Sequence, residues 1–329
     1  MQVDSDEYRL ACLAAEILTP APGAPARVRA VTREPSPFAT LASVEILSVS
    51  LDAGDEVRLF VKHLGKEQAD HPDKQRRDRE LRVYDRLLCE APDLPVPSYY
   101  GSSRNNATGQ HELYLEHVPD WTLQYHNLEH WFTAARRLAH LHHHFASRPR
   151  RLQTCDFLLT LDAPYFDAWA KRATAAVERQ SGELARRLTE SLADYGTACD
   201  LLARQPRTLV HNDLAPKNVV ADRRNSPARI CLIDWELAGV GCGLLDLVHL
   251  KYGLDADADR EMVAGYRAEL RSTNLLPDDE SEFARLLAAC ELHKTLYRLA
   301  HSPNWNLPPA AIEKWVAEAR HFMKQVSGP

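Results

Sequence analysis

Apolar and polar residues alternate through much of the first third of the chain and fall at helical spacing through most of the rest. Leu10 to Leu18 reads as the apolar side of a short surface helix. Arg27 to Thr32 is a predicted strand, followed by a loop containing Pro and Ser over Glu34 to Thr40. Val44 to Leu51 is rich in β-branched and apolar residues, and the cluster Asp52-Ala53-Gly54-Asp55 after it is a turn signal. Val57, Leu59 and Val61 then alternate with Arg58, Phe60 and Lys62, the pattern of a half-buried strand closing a hairpin. In the charged segment Asp73 to Leu88, Glu80, Tyr84, Leu87 and Leu88 share helical spacing, which predicts one amphipathic helix ended by the Pro-rich stretch 92–97. His111 to Val118 alternates again until Pro119-Asp120 breaks it.

Beyond that break the pattern predicts helices over 127–145, 165–179 and 183–204. Leu209-Val210 and Arg229 to Ile233 are short strand-like pieces, and after Asp246 the chain reads as helical, with breaks at Pro277 and over 303–309. A sheet-rich beginning and a helix-rich remainder predict an α+β, bilobal chain. Its expected parts are an N-terminal lobe of residues 1–118 and a C-terminal lobe of residues 119–329.

Composition narrows the partners. Of the 329 residues, 45% are hydrophobic and 26% charged, ordinary for a soluble globular protein. The formal net charge of -6 is a poor match for nucleic acid, so no nucleic-acid partner is expected, although a locally basic pocket is compatible with it. No apolar run approaches the roughly 20 residues that span a bilayer, and no basic stretch leads into a long apolar one. No membrane association and no signal peptide are therefore expected. The seven cysteines are scattered and never spaced C-x-x-C, which points to reduced thiols and a cytoplasmic location.

Two segments carry chemistry. His211-Asn212-Asp213-Leu214-Ala215-Pro216-Lys217-Asn218 follows the apolar pair Leu209-Val210, and Ile230-Cys231-Leu232-Ile233-Asp234-Trp235-Glu236 is an apolar strand ending in an acid. Phosphoryl transfer needs a carboxylate to orient the attacking hydroxyl and take its proton, and hard oxygen ligands for the Mg²⁺ that neutralises the triphosphate. Asp213 answers the first need, Asn218 and Asp234 the second, and a loop and a strand end can bring all three to one cleft. Without such chemistry, Asp213 would cap a loop, and Asn218 and Asp234 would tie that loop to the strand.

H-N-D-x-x-x-x-N followed by I-D-W-E resembles the aminoglycoside phosphotransferase and choline kinase group of small-molecule kinases, on the protein-kinase-like fold. Tryptophan and glutamate stand where protein kinases carry phenylalanine and glycine. The segment Gly239 to Leu247 and the helix ending Leu138-Ala139-His140-Leu141-His142 are similar to that group as well. The resemblance implies an ATP-dependent enzyme, with GTP as an alternative donor and Mg²⁺ as cofactor. It implies that Lys62 grips the phosphates with Glu80 as its ion-pair partner, and that the backbone of Glu116 and Val118 contacts the adenine. The segment Glu34 to Val44 holds no glycine, a departure from the G-x-G-x-x-G loop. Phosphate contacts there would come from N–H groups of 38–43 and the hydroxyls of Ser36, Thr40 and Ser43. Protein kinases have a lysine two residues after the catalytic aspartate; here that position is Ala215, and Lys217 is not assigned its role.

Other residues keep two readings. His211 and Asp246 read as structural supports of the Asp213 loop. Glu236 either reaches metal or substrate or supports a neighbouring ligand. His140, His142, His143 and His144 could suggest a metal, but the sequence supplies no acidic third ligand. Glu291, His293, Lys294, Tyr297 and Arg298 are either acceptor-site residues or the face of a packing helix, and their basic members tilt the acceptor away from polycationic aminoglycosides. The acceptor is thus an antibiotic or a biosynthetic metabolite, the alternatives being a metabolic amino-alcohol or sugar kinase and a nucleotide-binding pseudokinase scaffold. The oligomeric state is not legible.

Overall fold

The computed structural model describes residues 5–18, 27–36, 44–52, 54–64, 72–104, 109–305 and 307–328. In chain order the elements are α1 (Ser5–Ile17), β1 (Val28–Pro35), β2 (Val44–Leu51), β3 (Glu56–Leu64), α2 (Arg79–Arg86), β4 (Tyr99–Arg104), β5 (His111–Glu116), α3 (Leu128–Ala146), α4 (Pro149–Gln153), β6 (Leu159–Thr160), α5 (Ala163–Glu178), α6 (Gly182–Ser191), α7 (Tyr195–Ala203), β7 (Thr208–Val210), β8 (Val219–Asp222), β9 (Arg229–Leu232), β10 (Gly239–Gly241), α8 (Leu244–Leu250), α9 (Ala256–Glu269), α10 (Glu280–His301) and α11 (Pro309–Ser327). Two compact units emerge, Met1–Trp121 with Asp222–Glu236, and Thr122–Ala221 with Leu237–Pro329.

The first unit is built on a five-stranded sheet in the order β1-β2-β3-β5-β4, antiparallel throughout. The alternation of β3 has a physical origin in a buried face, whereas β2 buries Val44 and Ile46 on one side and Leu47 and Val49 on the other. Val31, Leu47, Val49, Leu59, Val61 and Tyr114 form a core with Ala14 of α1, and Ala11, Leu13, Ile17 and Leu18 pack against it. The predicted strand at 27–32 runs on through Glu34 and Pro35. The helix predicted over 73–88 is in pieces: a 3₁₀ turn at Pro72–Gln75, then α2, then a 3₁₀ turn at Leu88–Glu90. Its charged side chains hold the bends. The Arg79 guanidinium donates to the Asp73 carbonyl at 2.6 Å, and the Asp78 carboxylate binds Arg76 at 3.1 Å and Arg82 at 2.8 Å.

In the second unit α10 is the central helix, packed against α5, α7, α8 and α11. It is buried on several faces, which is why its apolar residues form no single stripe. The helix predicted over 183–204 divides into α6 and α7. Ser191 Oγ donates to the Arg187 carbonyl at 2.7 Å, competing with the helical ladder just before the break. Asp162, Ser181, Asp255 and Asp279 cap α5, α6, α9 and α10 by accepting backbone N–H bonds. β10 lies between β6, to which it is parallel, and β7, to which it is antiparallel. A Cβ at Gly239 would fall 2.4 Å from Leu161 Cδ1 and 2.9 Å from the Leu159 carbonyl oxygen, so that position requires glycine.

Candidate active site

Lys62, Glu80 and Asp234 come together in the first unit. Lys62 lies in β3, paired with Val44 of β2 and Leu113 of β5, which holds its stem on a rigid sheet. Its Nζ lies 2.6 Å from Glu80 Oε2 and 2.6 Å from Asp234 Oδ1. Glu80 occupies the first turn of α2 and is buried. Asp234 follows β9 with φ of 70°, in the left-handed region that Asp tolerates better than most residues. Burial alone would lower the Lys62 pKa, but the Glu80 and Asp234 carboxylates raise it above its ordinary value, so the ammonium stays charged. Burial also pushes the Glu80 carboxyl up, against the opposing pull of Lys62.

Further bonds hold this group in place. The buried Trp235 donates its backbone N–H to Glu80 Oε1 at 3.3 Å and its indole N–H to the Leu232 carbonyl at 3.2 Å. The Leu232 N–H donates to the Pro95 carbonyl at 2.7 Å. The Arg79 guanidinium donates to the Glu236 carbonyl at 2.7 Å, and Lys74 pairs with the Glu236 carboxylate. Glu236 is thus a partner of Lys74 here.

At the end of β5, the Glu116 N–H donates to the Ser98 carbonyl at 2.9 Å. The Glu116 carboxylate accepts two bonds from Arg229, at 2.5 and 2.8 Å, and two from Ser98, both at 3.0 Å. Burial would raise the Glu116 pKa, but these partners lower it. The Val118 carbonyl accepts the Asp120 N–H at 3.0 Å, while the Val118 N–H has no partner among the described residues. Ser36 is buried and its N–H donates to the Val44 carbonyl at 3.0 Å. Residues 37–43, including Thr40 and Ser43, lie outside the described residues, as do the loop contacts expected of them.

Asp213 and Asn218 come together in the second unit. Asn218 Nδ2 donates to the Asp213 carbonyl at 2.8 Å and to Asp213 Oδ2 at 3.4 Å, and its backbone N–H donates to the Ala215 carbonyl at 2.8 Å. The Asn218 side-chain nitrogen is engaged by these bonds, and among the described residues its Oδ1 has no partner. Asp213 is partly exposed, whereas His211, Asn212 and Asn218 are buried and Lys217 is exposed. The loop hangs from Asp246, which is fully buried. Asp246 Oδ2 accepts the His211 N–H at 2.7 Å and Oδ1 accepts the Asn212 N–H at 2.8 Å, the support expected of it. His142 stands behind, with Nε2 3.3 Å from Asp246 Oδ2 and Nδ1 2.7 Å from the Tyr266 hydroxyl. His140 pairs instead with Glu269 at 3.0 Å. Among the described residues no group of three or more His, Cys, Asp or Glu side chains is placed to hold a metal ion. Asn212, at φ 66°, donates from its side chain to the Tyr165 hydroxyl at 3.0 Å.

Sequence reasoning missed Tyr165, Arg79 and Arg229. None lies in a recognisable motif, and only the fold brings each to its partner.

A β-rich unit holding a buried lysine–glutamate pair beside an acid, and a helical unit with a clamped H-N-D-x-x-x-x-N loop, define a phosphoryl-transfer enzyme of kinase-like architecture. The sequence profile of the phosphotransferase enzyme family matches residues 48–287, and the chain belongs to that family. No curated protein sequence matches it. Among solved structures it is similar to a microcompartment-associated aminopropanol kinase, at 16% identity and a TM-score of 0.55, covering 89% of this chain and 90% of that one. It is similar to choline kinase from Cryptosporidium parvum Iowa II, at 12% identity and a TM-score of 0.55 over 90% and 88%. It is also similar to an APH(2") enzyme in complex with GDP and kanamycin, at 14% identity and a TM-score of 0.56 over 96% and 98%. At these identities the likeness establishes a shared fold.

Proposed function

We propose that this chain transfers the γ-phosphoryl group of Mg-ATP to a hydroxyl of a small molecule. The observation that carries the reading is the Lys62–Glu80 pair with Asp234 at 2.6 Å from the same ammonium, a charge arrangement suited to polyphosphate. In this reading the acceptor oxygen forms a bond to the γ-phosphorus as the bond to the β–γ bridging oxygen breaks, releasing ADP. Asp213 orients the hydroxyl and takes its proton. Lys62, fixed by Glu80, neutralises the phosphates, and the backbone of Glu116 and Val118 contacts the base, with the unpartnered Val118 N–H supporting the latter. Ser36 is assigned to the phosphate end.

The Asn218 amide oxygen and the Asp234 carboxylate are hard oxygen donors, the set Mg²⁺ takes, and these two residues would hold it. Bound there, the ion would neutralise charge on the transferring phosphoryl group. The nucleotide role falls to residues 1–118 and the catalytic and acceptor role to 119–329, with Asp222–Glu236 lending Asp234 to the first. GTP is the alternative donor. The small-molecule acceptor is supported by the family match and the D-W-E sequence at 234–236. A cytoplasmic location is supported by seven free cysteines, and no helix among the described residues is long and apolar enough to cross a membrane.

The test is Asp213→Asn. Turnover should fall by about 10²–10⁴-fold, the range for removing a general base, with nucleotide binding kept. Full turnover in that variant removes the base assignment. Failure of the wild-type protein to bind any Mg-nucleotide removes the kinase reading. Mass spectrometry after incubation with Mg-ATP and a panel of alcohols, sugars and antibiotics reads the acceptor as an added phosphate.

A further inference from the structure

The second unit holds a guanidinium that, among the described residues, no carboxylate pairs with directly, Glu291 and Glu318 attracting it only at longer range. Arg298, on α10, is half-buried, and its guanidinium carbon lies 3.9 Å from the ring centroid of Tyr252, a side chain 54% exposed. Lys294, one turn earlier, places Nζ 4.9 Å from the same ring and donates to the Val248 carbonyl. The nearby acids are engaged elsewhere. Lys251 Nζ takes Glu291 at 2.5 Å and Asp259 at 2.7 Å, and Glu318 lies 3.8 Å from Lys314. Among the described residues Arg298 has no hydrogen-bond or ion-pair partner beyond the Tyr252 ring. Holding a guanidinium out of water without a counter-ion is costly, and an anion offsets that cost.

The surroundings tie this cation to the Asp213 loop. Tyr165, which accepts from Asn212, has its ring 6.0 Å from that of His293, and Phe166 lies 4.8 Å from His293. Tyr297, adjacent to Arg298 in the chain, packs on Trp169 at 4.7 Å and on His249 at 5.9 Å. Aromatic contacts therefore run from the loop to Tyr297 and His249, and Arg298 follows Tyr297 on α10 with its guanidinium on Tyr252. The histidines among them add no charge: burial lowers the His293 pKa to about 3, and burial with Lys294 lowers that of His249. The Nδ1 of His293 is buried without a hydrogen-bond partner among the described residues. Burial and Arg298 also push Lys294 down, and burial lowers Arg298 against the pull of Tyr252, Glu291 and Glu318.

We propose that the acceptor alcohol carries an anionic group, a carboxylate or a phosphate ester, and that Arg298 binds it beside Tyr252. This rests on the phosphotransferase reading above and deepens it. Arginine suits the task because its planar fork meets either anion with two parallel bonds while its face stays on the ring.

The test uses the full chain and four probes of similar size: glycerate, glycerol 3-phosphate, glycerol and ethanolamine. Calorimetric titration should show the anions binding and the neutral and cationic alcohols binding at least about tenfold more weakly, since one charge-assisted pair carries that much affinity. The tighter anion identifies carboxylate or phosphate. Arg298→Gln should weaken anion binding by about 10–100-fold. Arg298→Lys, which keeps the charge and loses the fork, should fall between the two. It serves as the deciding variant if Arg298→Gln does not fold. Equal anion binding by wild type and the folded variant, binding of glycerol or ethanolamine as tight as that of the anions, or no anion binding at all would each overturn the proposal. Mg-ATP titrations of wild type and Lys62→Met are run beside these, so that loss of the kinase reading shows in the nucleotide arm and loss of the anion proposal in the acceptor arm.

Discussion

Replacing Asp246 by asparagine keeps the shape of a fully buried side chain and changes what it can accept. The carboxylate takes the His211 N–H at 2.7 Å and the Asn212 N–H at 2.8 Å, one on each oxygen. An amide keeps one acceptor and turns an NH₂ group toward the other N–H. One charge-assisted bond, about 1.5–3 kcal/mol, is then lost, and a buried donor is left facing a donor, so a destabilisation of about 2–4 kcal/mol is expected. That is a large fraction of the roughly 5–15 kcal/mol that holds a typical domain together. The effect on rate follows from position. Asn212, held at φ 66°, immediately precedes Asp213, and without its anchor the loop is free to relax toward ordinary dihedrals. A displacement of Asp213 by about 1 Å would cost turnover on the order of 10²-fold. The assays are a denaturant melt and steady-state phosphoryl transfer with the acceptor found by mass spectrometry. Nucleotide affinity, which in this reading rests on Lys62 and Glu80, should stay within about twofold. A folded Asp246→Asn protein with wild-type stability and wild-type kcat would refute the reasoning.

Gly243→Ala should act on the same clamp from behind. Its Cβ would lie 2.6 Å from His142 Nδ1 and 2.9 Å from His142 Cγ, so the ring must shift away from Asp246 and Tyr266. A loss of about 1–3 kcal/mol is expected in the melt, and an unchanged melt would show that the approach is not tight. In the first unit, Glu112→Gln should destabilise the sheet in a pH-dependent way. His63 lies 3.5 Å from Glu112, and the bond to it, against some burial and with the Tyr114 and Ser103 hydroxyls donating as well, lowers the Glu112 pKa from 4.5 to about 2. The same pair raises the His63 pKa above 6.5. The glutamate's contribution is present above 4.5 and lost as pH falls toward 2; the histidine's is present below 6.5 and lost as pH rises through its folded value. The Tm gap between Glu112→Gln and wild type should therefore be widest between pH 4.5 and 6.5 and narrow above that, and a gap independent of pH would remove the pair from the account.

What could be read along the chain depended on how local its cause was. β3 was legible because one buried face writes a period of two into Val57, Leu59 and Val61, whereas β2, buried on both sides at Val44, Ile46, Leu47 and Val49, was legible from its β-branched and apolar content. β4 was not, because the register shifts between Tyr99 and Gly101 and Gly101 sits at φ 140°, so the alternation is broken where it would be read. Lys62 and Glu80 could be nominated from their order along the chain and are found as an ion pair. That Asp234 shares the same ammonium could not be read from the sequence, since it lies 172 positions from Lys62. Asp246 was legible as a support because the segment Gly239 to Leu247 that holds it resembles the small-molecule kinase group. Tyr165 was not, because a tyrosine in the first turn of an amphipathic helix looks like any packing residue. The charged helix at 73–88 was misread as continuous because charge patterning does not tell an i,i+4 pair from a bond to a distant carbonyl, which is what Arg79 makes.

The same device recurs in both units and explains where the unusual backbone sits. Among the described residues, the non-glycine residues at positive φ are Asn212 and Asp234, one beside the proposed base and the other a proposed metal ligand. Left-handed geometry costs an L-residue about 1–2 kcal/mol and persists only when neighbouring bonds hold it. In each case a buried carboxylate from another element accepts a backbone N–H at the bend. Asp246 takes those of His211 and Asn212, and Glu80 takes that of Trp235. The bends turn Asp213 and Asp234 out of their strands and loops, and the carboxylates keep them turned. Glu80 differs from Asp246 in one respect that matters. Its other oxygen binds Lys62, so the residue that holds the Asp234 bend also holds the cation Asp234 faces. The strain at Asp234 and the charge on Lys62 are therefore coupled through one side chain, and a change at Glu80 would disturb both, whereas a change at Asp246 disturbs the loop and the His142 behind it.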